Sequence, residues 1–152
     1  MGAHQAEQGR GRCYNFYEGK DAMPSRVWSH LCDYATIDAR GKATIVGEFD
    51  NIFVQTLPIQ YPLYFVISKW SGFGGESFTL AVKVVSPSGK VLAGSPESAV
   101  TMQPMANGEG IHINADSFMM QRFEEAGEYA IEILLNGDPV HILRLNVVQV
   151  TG

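Results

Sequence analysis

The chain has 152 residues, 45% of them hydrophobic and 18% charged, with 16 Asp and Glu against 11 Lys and Arg for a formal net charge of -5. A single domain of that size buries roughly 65–70% of its unfolded surface and needs no staple. The acidic balance, without any basic run, argues against nucleic acid as a partner. No apolar run reaches the roughly 20 residues of a membrane span, which argues against a membrane partner.

Residues 1–24 read as a flexible N-terminal extension and 25–152 as the domain. Gly2, Gly9, Gly11 and Gly19 punctuate a polar stretch with neither helical nor strand periodicity. Such a stretch buries too little apolar surface to offset its ordering entropy. The first residues lack the charged start and apolar core of a secretory signal, so the expected location is cytoplasmic. Cys13 and Cys32, the two cysteines, are expected as free thiols, one mobile and one packed.

From Arg26 the sequence becomes strand-like. Residues 27–35 form the first run, closed by a turn ending in Gly41, and 43–54 the second, with Gly47 marking a bulge. A connection marked by Pro58 and Pro62 leads into residues 63–70, and Gly72, Gly74 and Gly75 turn the chain into 77–85. There Phe78, Leu80, Val82 and Val84 alternate with polar or small neighbours, the pattern of a half-buried strand. A turn around Pro87 and Gly89 follows, then weaker strands over 91–93, 99–105 and 110–114. Residues 115–127 are the one helix candidate, readable equally as a single turn or an irregular loop, ended by Gly127 in either case. The final hairpin sets Tyr129, Ile131, Ile133 and Leu135 on the face of Leu143, Leu145 and Val147, with its turn at 136–139. Its expected register places Ile133 opposite Leu143 and Glu132 across from Arg144. Together these elements predict an all-β, antiparallel, two-sheet sandwich of about 7–9 strands, Ig-like in appearance, with at most one short helix.

Candidate chemistry is sparse. His30 and Cys32 share one face of the first strand while Asp33 points to the other, and neither His112 nor His141 belongs to a metal-spaced pair, so no metal site is expected. No Gly-x-Ser-x-Gly elbow occurs, and no clustered acid, base and nucleophile stands out; catalytic residues and cofactors are therefore expected to be none. The glycines at 72, 74 and 75 lack the frame of a phosphate loop and lead into a strand. Trp70 and Phe73 flank those glycines and are the candidate ligand- or partner-binding residues, because exposed aromatics on a sheet or loop can stack on sugars or dock proteins.

Leu31, Cys32, Asp33, Tyr34 and Ala35, then Gly41 and Lys42, then the run from Ile45 through Gly47, Glu48, Phe49 and Asp50 to Ile52, and later Phe65, Val66 and Ile67 carry a resemblance. Glu76 to Leu80, Pro87 to Gly89 and Gly127 to Ile131 extend it. In these segments the chain resembles an uncharacterised bacterial family known only as a domain of unknown function. The resemblance implies a small β-sandwich and carries no catalytic residue, ligand or partner. The expected function is a non-enzymatic, cytoplasmic, protein-binding sandwich that uses a sheet edge or the Trp70 and Phe73 loop, its partner an unidentified protein or a second copy. The alternative is a carbohydrate or small-ligand binding module using the same aromatics.

Overall fold

The computed structural model describes residues 24–151. Cys13 and the expected extension lie outside the described residues, except for Pro24, which is buried. Eleven strands follow in chain order: β1 (Ser25–Ile37), β2 (Ala43–Glu48), β3 (Asn51–Val54), β4 (Ile59–Phe73), β5 (Ser77–Val85), β6 (Val91–Gly94), β7 (Ser98–Thr101), β8 (Gln103–Pro104), β9 (Glu109–Phe123), β10 (Gly127–Leu135) and β11 (Asp138–Gln149). They form a five-stranded sheet in the order β2-β1-β4-β9-β8 and a six-stranded sheet in the order β3-β11-β10-β5-β6, with β7 also on β5. Neither sheet closes on itself.

The strand count exceeds the expected 7–9, partly because residues 43–54 are two strands in different sheets. β2 pairs with β1, whereas β3 crosses over and pairs with β11 in parallel, an exception to the expected all-antiparallel arrangement. No helix occurs among the described residues, and the helix candidate at 115–127 belongs instead to β9 and the turn into β10.

Alternation builds the shared core. Phe78, Leu80, Val82 and Val84 of β5 and Tyr129, Ile131, Ile133 and Leu135 of β10 are buried against Tyr64, Val66 and Trp70 of β4. Each such side chain contributes about 1.5–3 kcal/mol on full burial, so this face outweighs any surface pairing. In the final hairpin the odd residues face inward as expected, but Ile133 lies opposite His141 and Ile131 opposite Leu143. Asn136 and Gly137, both at positive φ, form a tighter two-residue turn than the expected 136–139, and a bulge beside Pro139 absorbs the remaining offset. Arg144 is exposed and opposite Ala130; its ion pair is with Glu128, at 3.1 Å, and not with Glu132.

The long β4–β9 ladder bends at one level. Tyr64 and Phe118 face the core together, as do Tyr61 and Phe123, so both strands exchange their inward face between these positions. Pro62 and Met120 occupy the crossing. Pro62 has no N–H to give across the ladder, and Met120 takes the left-handed conformation with φ of 53°.

The β1–β2 hairpin makes a second small core. β1 pairs with β4 only as far as Cys32, opposite Phe65. Beyond that point Ala35, Ile37, Ala43 and Ile45 pack with Cys32 and Ile67 and reach Ile113 and Ala115 on β9, so the hairpin lies over the outer face of the five-stranded sheet. Gly47 permits the bend: its φ is +68°, and the Asp33 carboxylate fills the space a Cβ would need.

Candidate functional site

Trp70 is only 1% exposed. Its indole Nε1 donates to Ser68 Oγ at 2.8 Å and its ring lies 6.5 Å from that of Phe78, so it is a core residue. Phe73 is partly exposed, and its backbone N–H donates to Glu76 Oε2 at 3.1 Å. The expected platform of two exposed rings is therefore absent, for a reason visible in parity: Trp70 shares its face with Tyr64 and Val66, which bury against the other sheet.

The first-strand trio separates as parity required. His30 Nδ1 lies 2.7 Å from Glu48 Oε1 across the β1–β2 pair. Cys32 is fully buried, its thiol directed at the carbonyls of Tyr34 and Phe65, and burial raises its pKa. The Tyr61 hydroxyl lies near the Asp33 carboxylate, and its pKa rises through burial and this negative neighbour. His112 packs edge-on to Phe78, and burial lowers its pKa. His141 is lowered by burial and by Arg26. Among the described residues no group of three or more His, Cys, Asp or Glu side chains converges.

A more consequential feature is the free side of β9. β4 covers one side of this strand from Glu109 to Phe123, whereas β8 covers the other only at Gly110 and Ile111. From His112 to the kink at Met120 the outer side has no ladder partner among the described residues, leaving backbone N–H and C=O groups open. Elsewhere the sheets end in β2, β3, β6 and β7, none longer than six residues, and β11 is uncovered from Asp138 to Leu145, before β3 joins it.

Side chains along this edge are distinctive. Asp116 is half-buried on the inward side, accepts from Asn114 Nδ2 at 2.8 Å, and has its pKa raised by burial. The ion pairs among the described residues are His30–Glu48, Arg122–Glu124 and Arg144–Glu128, so Asp116 has no cationic partner there. On the outward side Met119 is 73% exposed beside its ladder neighbour Leu63, also exposed. At the kink, a cleft of about 370 Å³ separates Met119–Arg122 from Lys90–Ala93 at the edge of the other sheet. The missing neighbour on β9 is a topological fact that no local pattern encodes.

Among solved structures, a β-glucosidase from Listeria innocua in complex with glucose is similar at 6% identity and a TM-score of 0.48, over 85% of this chain and 17% of that one. A Pseudomonas fluorescens alkylpurine DNA glycosylase bound to DNA containing an abasic site analog is similar at 7% identity and a TM-score of 0.39, over 64% of this chain and 27% of that one. This chain thus spans a small part of either protein, and likeness at this level carries no inference about activity. No curated protein matches it. The model of a family of unknown function, DUF6941, matches residues 27–148, which include the β1–β2 hairpin, the Pro62 and Met120 crossing and the open side of β9. The chain belongs to that family.

Proposed function

We propose that this protein is a non-enzymatic, cytoplasmic binding domain of sandwich form that takes up an extended segment of a partner protein along β9. The observation that carries this reading is the open side of β9 from His112 to Met120, an extended edge that carries Asp116 and ends at the cleft beside Met119 and Met120. Strand addition draws affinity from main-chain hydrogen bonds and specificity from pockets for alternate side chains. Two features of this edge supply such specificity. Asp116 resists a generic apolar strand, since a charge turned inward is a device against indiscriminate pairing, and it favours a segment with Lys or Arg opposite it. The cleft beside Met119 and Met120 accepts an apolar side chain against adaptable thioethers.

Affinity capture from the native host, followed by hydrogen exchange on the reconstituted complex, tests the reading. The partner is expected to slow exchange at 112–120 and to be lost, with thermal stability unchanged, in Met119→Lys. It is expected to weaken in Asp116→Asn. A partner that protects only other segments, or binds both variants undiminished, overturns it.

A further inference from the structure

Beneath the β1–β2 hairpin, on the outer face of the five-stranded sheet, lies a cleft of about 590 Å³. The turn residues from Ile37 to Gly41 form its roof, Lys69 of β4 with Ile111 and Ile113 of β9 its floor, and Gln103 of β8 one side. Its volume is within the roughly 300–1,000 Å³ range of small-molecule sites, which are mostly apolar with a few converging polar groups. The lining meets that description: Ile37, Ile111 and Ile113 are partly buried, and Ile37 and Ile113 pack with the second core.

The charges around it are unequal. Lys69 is half-buried, in the outward parity of Phe65 and Ile67, and neither it nor Arg40 takes part in the ion pairs among the described residues. Asp38 is the only acid among the lining residues, and its Oδ1 already accepts from the backbone N–H groups of Arg40 and Lys42 at 2.8 and 2.9 Å. Two cations against one turn-bound carboxylate leave a single positive charge beside an apolar floor. His112 touches this cleft but directs its ring toward Phe78, on the core side.

We infer that this cleft binds a small amphipathic monocarboxylate, its apolar chain against Ile37, Ile111 and Ile113 and its carboxylate on Lys69, with Arg40 at the mouth. A net charge of one suits a monoanion better than a phosphate dianion. A charge-assisted bond to a partly desolvated ammonium is stronger than one formed in open solvent. The site is separate from the strand-addition edge, because it opens on the sheet face under the hairpin and needs no main-chain pairing.

Octanoate, below its micelle threshold, is the probe, titrated into the full chain by calorimetry with methyl resonances of the isoleucines as a second readout. Expected is saturable binding with Kd of about 1 mM or tighter, with shifts at Ile37, Ile111 and Ile113. Octanol should bind at least tenfold more weakly. Lys69→Met should weaken octanoate at least tenfold and leave octanol unchanged, while Lys69→Arg should largely restore it. Ala39→Trp, at an exposed turn position, should block both by filling the mouth. Equal affinity for octanoate and octanol, no effect of Lys69→Met, or no saturable binding would each overturn the assignment.

Discussion

The Tyr129 hydroxyl donates to the Glu125 carbonyl oxygen at 2.6 Å, tying the first inward residue of β10 to the corner that precedes it. The Glu125 N–H in turn donates to the Tyr129 hydroxyl oxygen at 3.3 Å. Tyr64, 0% exposed on β4, offers the opposite case: its hydroxyl is buried with no hydrogen-bond partner among the described residues, and burial pushes its pKa far up.

These two tyrosines should respond oppositely to loss of one oxygen. Tyr129→Phe removes a made bond and strands a carbonyl, so it should cost about 1–3 kcal/mol. Tyr64→Phe removes only an unsatisfied group and keeps the ring stacked on Phe118, 5.1 Å between centroids, so stability should be unchanged or slightly higher. Urea unfolding of both variants decides it, and equal losses would contradict this account.

Much of the core was legible in residue order, because strand parity is a local property. Phe78 to Val84 and Tyr129 to Leu135 were assigned their buried face from alternation alone, and both runs are buried. Hairpin register was less accessible. A shift of two residues keeps every side chain on its face, so patterning could not separate Ile133 opposite Leu143 from the observed pairing with His141. The helix candidate failed at Met120, where the face exchange spaces the buried residues as Phe118, Gln121 and Phe123 and so breaks the strict alternation that marks a strand. For Trp70 the sequence allowed both a core and a platform reading, and its parity with Tyr64 and Val66 puts it in the core. The cleft under the hairpin was beyond reach because Ile37, Lys69 and Ile113 meet only through the bend of β1.

That bend rests on Gly47, and Gly47→Ala should destabilise the fold. The left-handed backbone alone costs about 1–2 kcal/mol for a residue with a Cβ, and the Asp33 carboxylate must also move. Hydrogen exchange should show the loss concentrated at residues 34–46. A uniform loss across both sheets would mean the hairpin is not an independent bend.

Acid sensitivity should trace in part to His112. Its folded-state pKa lies below 6.5, so the unfolded chain binds more protons as pH falls under that value, and stability declines from about pH 6.5 down through the folded pKa. His141 has the same sign. Asp116, raised by burial, has the opposite one: it favours the folded state under acid and loses that advantage as pH rises through its folded pKa. Chemical unfolding of the wild type and His112→Leu at pH 7 and pH 5 should show a smaller acid loss in the variant. Parallel losses would remove His112 from the account.

The crossing at Pro62 and Met120 constrains how this chain can change length. Side-chain direction along β4 and β9 is written in two phases, and the change of phase is shared between partners. Deleting one residue near position 62 alone would leave the phase of β9 intact while inverting that of β4, turning Tyr61 and Ile59 out as Phe123 stays in. Viable insertions and deletions here must therefore come as matched pairs, one in each strand.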